Sequence, residues 1–192
     1  MNSIANNMKT KIRFYVNRLL NELFNLNESG VQEKSDKLEK TWNKKEKDII
    51  NGLKKVTGLS FNKNYIDVFL VNREAVKNSI SDPLILRVSD DVDRNLCVLV
   101  HELIHNLMWD NVQKNNWSLK VRKMFPKENR KTAIHVSVHA ILEALYTDVL
   151  RNPEMIIEDI KRSQRSLDYR RAWDIVKQEG YKSIVAKLKS SK

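Results

Sequence analysis

The stretch Asn95–Trp109, NLCVLVHELIHNLMW, decides how the chain is read. Apart from His101, Glu102, His105 and the asparagines, every residue in it is apolar. A helix that is apolar on nearly all sides is a buried helix. Two imidazoles and a carboxylate inside one would be costly without partners, on the order of several kcal/mol for an unpaired charge. A metal ion removes that problem. Residues four apart share one helical face, and neutral imidazole is a good zinc ligand, so His101 and His105 can hold one Zn2+ ion. Glu102 then projects beside the ion, where it can take a proton from an activated water.

Working outward, only two histidines remain, and they repeat the spacing. In TAIHVSVHAILEALYTDVL, from Thr132, the residues His135, His139, Glu143 and Thr147 fall at steps of four on a helix otherwise rich in Ile, Val, Leu and Ala. A stripe of metal-capable groups facing a core needs something to coordinate or bond. The 95–109 helix offers that partner.

The surrounding sequence predicts an α+β, mostly helical fold. Apolar spacing predicts helices over residues 8–27 (Ile12, Val16, Leu19, Leu20, Leu23, Phe24) and 32–56, separated by a break at Glu28-Ser29-Gly30. Gly58 follows in the place of a C-terminal cap. Tyr65–Val71 and Pro83–Val88 are the two convincing strands. Ser89-Asp90-Asp91 caps a helix over 92–109. A polar stretch runs to Lys131, then a helix over 132–151, and shorter basic helices over 154–165, 167–178 and 181–189. The length, 192 residues, suits one domain. It divides into N-terminal helices (1–57), a core (58–152) and basic C-terminal helices (153–192).

Composition narrows the setting. With 41% hydrophobic and 31% charged residues the chain suits a globular protein, not a disordered one. The single cysteine, Cys97, allows no internal disulfide. The N-terminal residues carry charge in every short window, unlike a secretory signal, and no run is long and apolar enough to span a membrane. The expectation is a cytoplasmic protein without membrane contact.

HELIH at 101–105 resembles the HExxH motif of the zincin metallopeptidases, and the strand LILRV just upstream resembles the edge strand on which they lay an extended substrate. The resemblance covers roughly residues 60–152. It implies a zincin-like core in which a small β-sheet packs on the HExxH helix and a second helix carries a further ligand. The metzincin extension is excluded, because Met108 and Asn111 stand where it needs Gly and His. In size the chain looks like the small single-domain gluzincins, the minigluzincins. Their third ligand is a Glu on a later helix, a role open to Glu143, but Thr147 stands where their supporting Asp would be. The preferred alternative makes His139 the third ligand and Glu143 the acid that orients His101. His135 then supports a ligand from behind or donates to the oxyanion, with Tyr146 a weaker candidate for the donor. The implied function is hydrolysis of peptide bonds in a peptide or protein substrate, through a zinc-activated water with Glu102 as general base.

Two other functions compete with this one. A net charge of +11, with Tyr169, Trp173 and Tyr181 interleaved among the C-terminal Lys and Arg residues, suits contact with nucleic acid. The preferred alternative is that Trp173 and Ile175 pack inward while the charges are merely solvated. A regulatory relative with little or no peptidase activity would keep the same motif.

Overall fold

The computed structural model describes residues 10–23 and 28–190. The architecture is α+β and mostly helical: β1 (Lys11–Val16), α1 (Arg18–Leu23), α2 (Glu28–Thr57), β2 (Tyr65–Asn72), β3 (Ile80–Ser81), β4 (Leu84–Val88), α3 (Val92–Asp110), α4 (Val112–Asn115), α5 (Trp117–Met124), α6 (Arg130–Ala144), α7 (Glu154–Ser163), α8 (Leu167–Glu179) and α9 (Tyr181–Ser190). Among the described residues, no helix is long and apolar enough to cross a membrane.

The strands form one mixed sheet in the order β1-β2-β4-β3. β1 and β4 both run parallel to β2, and β3 runs antiparallel to β4. The long helix α2 is the crossover between β1 and β2. It lies with α3 against one sheet face, burying Leu38, Trp42, Ile49 and Leu53 over Ile66, Val68, Leu70 and Leu86. The opposite face of β1 and β2 is more open. There Tyr15 stacks on Phe69, and Arg13 pairs with Asp67 at 2.7 Å.

Three sequence expectations are corrected. The predicted helix over 8–27 is a strand followed by a short helix. KIRFYV alternates Ile12, Phe14 and Val16 with Lys11, Arg13 and Tyr15, the period of a strand. Phe24, counted for that helix, lies outside the described residues. The predicted break at Glu28-Ser29-Gly30 is the first turn of α2. The strand Leu84–Val88, expected at the sheet edge, is flanked on both sides, and the edge belongs to the two-residue β3.

The site-bearing helices follow the sequence closely. Asp91 caps α3, accepting from the Arg94 amide at 2.9 Å. Asn95 ties the end of β4 to α3: its amide donates to the Ser89 carbonyl at 2.8 Å and its carbonyl accepts from the Ser89 amide at 2.9 Å. Asn129 caps α6 by accepting from the Thr132 amide. α6 passes into a π-helical turn at Leu145–Val149 before the chain turns at Asn152-Pro153. That turn packs against α2 at Gly52, where an added Cβ would come 2.5 Å from Leu145 Cδ1, so glycine permits the close approach. A single cluster of buried apolar side chains runs from Ile12 to Leu188.

Candidate metal centre

α3 delivers its motif to the interior. His101 and Glu102 are buried and His105 is half-buried. The one-turn offset brings the rings of His101 and His105 to 5.2 Å, centroid to centroid. α6 packs against α3 and supplies the second pair. His135 lies 5.5 Å from the His101 ring and 4.9 Å from that of His105, closing a triangle of imidazoles. His139, one turn deeper, lies 5.7 Å from His101 and is fully buried.

Among the described residues, two groups of ligand atoms gather within 4.8 Å of one another: His101, His105 and His135, and His101, His139 and Asp159. Either could hold a metal ion by position alone. Charge separates them. Asp159 is fully buried, and Arg162 Nη2 already lies 2.5 Å from its Oδ1 and 2.9 Å from His101 Nδ1. A guanidinium therefore occupies the place of a cation in the second group. The first group contains no charge. Burial, and for His105 the neighbouring imidazoles after it, drives the pKa of His105 down to about 3. Burial likewise brings His135 to about 4 and His139 to about 3, and holds His101 well below its ordinary value. All four rings are neutral at pH 7 and hold lone pairs for a metal.

The hydrogen bond of His135 favours the same group. His135 Nδ1 lies 2.8 Å from the Lys131 carbonyl oxygen, a bond in which the ring must donate. Its Nε2 is then the free lone pair. His101 Nδ1 lies 3.2 Å from Asp159 Oδ1. Arg162 Nη2, which can only donate, lies 2.9 Å from the same nitrogen, so His101 Nε2 is free in the tautomer that donates to Asp159 and not in the one that accepts from Arg162. An imidazole fixed through one nitrogen by a carbonyl or carboxylate is the usual posture of a metal ligand. His139 differs: neither ring nitrogen has a hydrogen-bond partner among the described residues, and its ring stacks on Trp173 at 4.5 Å.

Asp159 is the residue that the sequence reading overlooked. Besides His101 and Arg162 it accepts from Trp173 Nε1 at 3.1 Å and Ser163 Oγ at 3.4 Å. Burial alone would raise its pKa, but Arg162 and His101 outweigh that and hold it well below the carboxylate range. The acid that orients His101 is therefore Asp159 on α7. Glu143, expected either as that acid or as a ligand, joins neither group. It is half-buried at the far end of α6, where Lys177 and Asp148 are its electrostatic neighbours. The structure likewise groups His135, not His139, with the HELIH pair.

Glu102 is buried, and its Oε2 accepts from Ser81 Oγ at 2.6 Å. Burial raises its pKa, partly offset by that hydrogen bond. Asn106, one turn on, donates to the Ser81 carbonyl at 3.0 Å. Two residues of the HELIH helix thus clasp β3, the edge of the sheet. Beside them a cavity of about 630 Å3 is lined by His105, His135, Met108, Trp109, Trp117 and Ile134. Tyr169, on α8, lies with its ring 4.0 Å from that of His135.

The C-terminal helices, set apart from the core in the sequence reading, belong to the site. They supply Asp159, Arg162, Tyr169 and Trp173. Trp173 and Ile175 are buried, and Tyr181 donates to Asp148. A signal for Asp159 was present: Met155, Asp159 and Ser163 fall at steps of four on the buried face of α7. An acidic residue on an apolar stripe needs a partner. Tyr146 is buried in the core. Comparison of the chain with known protein families, with curated proteins and with solved structures finds no match.

Proposed function

We propose that this protein is a zinc-dependent metallopeptidase in which His101, His105 and His135 hold the ion and Glu102 is the general base. The observation that carries the reading is the unbalanced trio of neutral imidazoles, two of them fixed through Nδ1, with a buried carboxylate between the two on α3. Three imidazoles with an open fourth position form a recognised donor set for catalytic zinc. The arrangement of sheet edge, HExxH helix and second ligand helix supports a zincin-like core.

When bound, zinc supplies a Lewis acid that activates water and polarises a carbonyl. The remaining chemistry belongs to the chain. Glu102, with its pKa raised by burial, is suited to take a proton from the attacking water near neutral pH and return it to the leaving amine. Ser81 fixes one oxygen of that carboxylate and leaves the other to work. Asp159 aims His101, and the Lys131 carbonyl aims His135. The Tyr169 phenol, beside His135, is the donor best placed to stabilise an oxyanion. The apolar cavity next to His105 accepts a hydrophobic side chain of the substrate.

The test is Glu102→Gln. It should keep one zinc per chain and lower hydrolysis of an unfolded protein by about 100-fold or more. Hydrolysis that survives the substitution would remove Glu102 from the mechanism. A zinc-loaded wild type that cleaves nothing would leave the site a regulatory one.

A further inference from the structure

A second cavity, of about 200 Å3, opens beside Glu102. Five arginines line it: Arg73, Arg87, Arg94, Arg162 and Arg165. Only one of them has a carboxylate partner among the described residues, Arg162 with Asp159. Glu102 is the sole acidic side chain in the lining. Even if it offsets one of the other four, an excess of positive charge faces this small space.

The arrangement is held in place. Arg87 is half-buried and donates through Nε and Nη2 to the Arg73 carbonyl, at 2.9 and 2.6 Å, and through Nη1 to the Lys77 carbonyl. Those bonds pin the loop that follows β2 and leave two of its five N–H groups free. Burial lowers the Arg87 pKa, and Arg73, Arg94 and Arg165 lower it further, so four guanidiniums repel one another here. Arg162 adds a buried Nε with no acceptor among the described residues. Like charges gathered around a pocket, with donors unspent, are the complement of an anion.

The neighbours and the size say which anion. The cavity touches Glu102, so its occupant lies next to the reacting bond. It is smaller than the roughly 300 Å3 at which pockets for larger ligands begin, and suits a carboxylate on a short stem. Tyr169 lends the wall an aromatic ring, but a nucleotide would need more room than about 200 Å3.

We propose that this cavity is a subsite for a carboxylate of the substrate peptide, either an acidic side chain or the C-terminus, adjacent to the bond that is cut. The assignment rests on the peptidase reading. The substrate then carries an apolar residue in the cavity beside His105 and an anionic group in the cavity beside Glu102.

Binding is measured by calorimetry on zinc-loaded Glu102→Gln protein, so that it does not depend on turnover. The probes are a blocked hexapeptide with one glutamate, its glutamine counterpart, and the glutamine peptide with a free C-terminus. At least one carboxylate peptide should bind about tenfold or more tightly than the blocked glutamine peptide, the value of one charge-assisted hydrogen bond. Which one does so identifies the source of the carboxylate. Adding Arg94→Gln and Arg165→Gln, at positions without ion pairs, should remove most of that preference, and Arg165→Glu alone should weaken it. Equal affinities, no binding by any peptide, or a preference indifferent to these arginines overturns the proposal. So does a thymidine octanucleotide that binds more tightly than every peptide and depends on the same arginines. Wild-type hydrolysis is assayed separately: a retained carboxylate preference without hydrolysis refutes the peptidase reading and leaves the subsite standing.

Discussion

His101 belongs to two constellations, and they differ in one respect that matters. With His105 and His135 it forms a group of neutral imidazoles that includes no charged side chain. With His139 and Asp159 it forms an equally tight group in which Arg162 already supplies the cation. Proximity of ligand atoms is common to both. Charge balance and the bond from His135 Nδ1 to the Lys131 carbonyl tell them apart. The first group could hold a positive ion, and on the proposed reading the second is the scaffold that aims one of its members.

The sharpest way to break this comparison is to remove one imidazole from each group. His135→Ala should abolish zinc binding, whereas His139→Phe should leave one zinc per chain, since its ring stacks on Trp173 and has no hydrogen-bond partner among the described residues. Metal analysis by mass spectrometry after dialysis decides it. Zinc lost from His139→Phe and kept by His135→Ala would exchange the roles of the two groups.

A smaller effect is expected from the scaffold. Asp159→Asn leaves the half-buried Arg162 without its partner, a change that costs at most about 3–5 kcal/mol, the value for a fully buried pair. It also frees His101, and loss of such a supporting carboxylate weakens metal binding by roughly 10- to 100-fold. Adding Arg162→Gln should recover part of the stability and none of the affinity. Denaturant titration and chelator competition read the two separately. Recovery of both together would mean that Asp159 serves stability alone.

The smallest effects come from protons. A buried imidazole whose pKa falls on folding binds fewer protons in the folded state, so stability drains away as pH drops below its ordinary value near 6.5. For His105, His135 and His139, with folded values of about 3, 4 and 3, that window runs from 6.5 down to between 4 and 3. At pH 5 each costs the metal-free protein roughly 2 kcal/mol. Asp159 has the opposite sign. Its folded pKa is depressed, so its contribution is intact above the unfolded value near 3.9 and is lost only at lower pH. Denaturant titrations of metal-free wild type and His139→Phe at pH 7 and pH 5 should show the variant losing about 2 kcal/mol less. Identical losses would show that His139 is not held neutral.

The parts of the site that could be read from the sequence are those governed by local periodicity. α3 and α6 are long, and their polar stripes fall at steps of four, so the convergence of four imidazoles followed from His101, His105, His135 and His139 alone. Which member of the second pair meets HELIH depends on how far one helix slides along the other. That is set by distant packing such as Gly52 against Leu145, to which spacing is blind. Glu143 shares the stripe but lies too far along it. Asp159 was hidden for a different reason: α7 reads as an amphipathic surface helix, and its one buried acid gains meaning only beside His101. The strand at Lys11–Val16 was lost because its period-two pattern runs directly into the apolar spacing of the next helix.

The indole of Trp173 reaches back fourteen positions to steady Asp159, which itself steadies a histidine 58 positions earlier. Translation proceeds in the other direction. A growing chain that has emerged only as far as the end of α6 has all four imidazoles, yet it lacks the carboxylate that orients the first and the tryptophan that holds that carboxylate. On the proposed reading, competence is conferred last, by segments made after the motif itself, and an incomplete polypeptide carries the four imidazoles without their alignment.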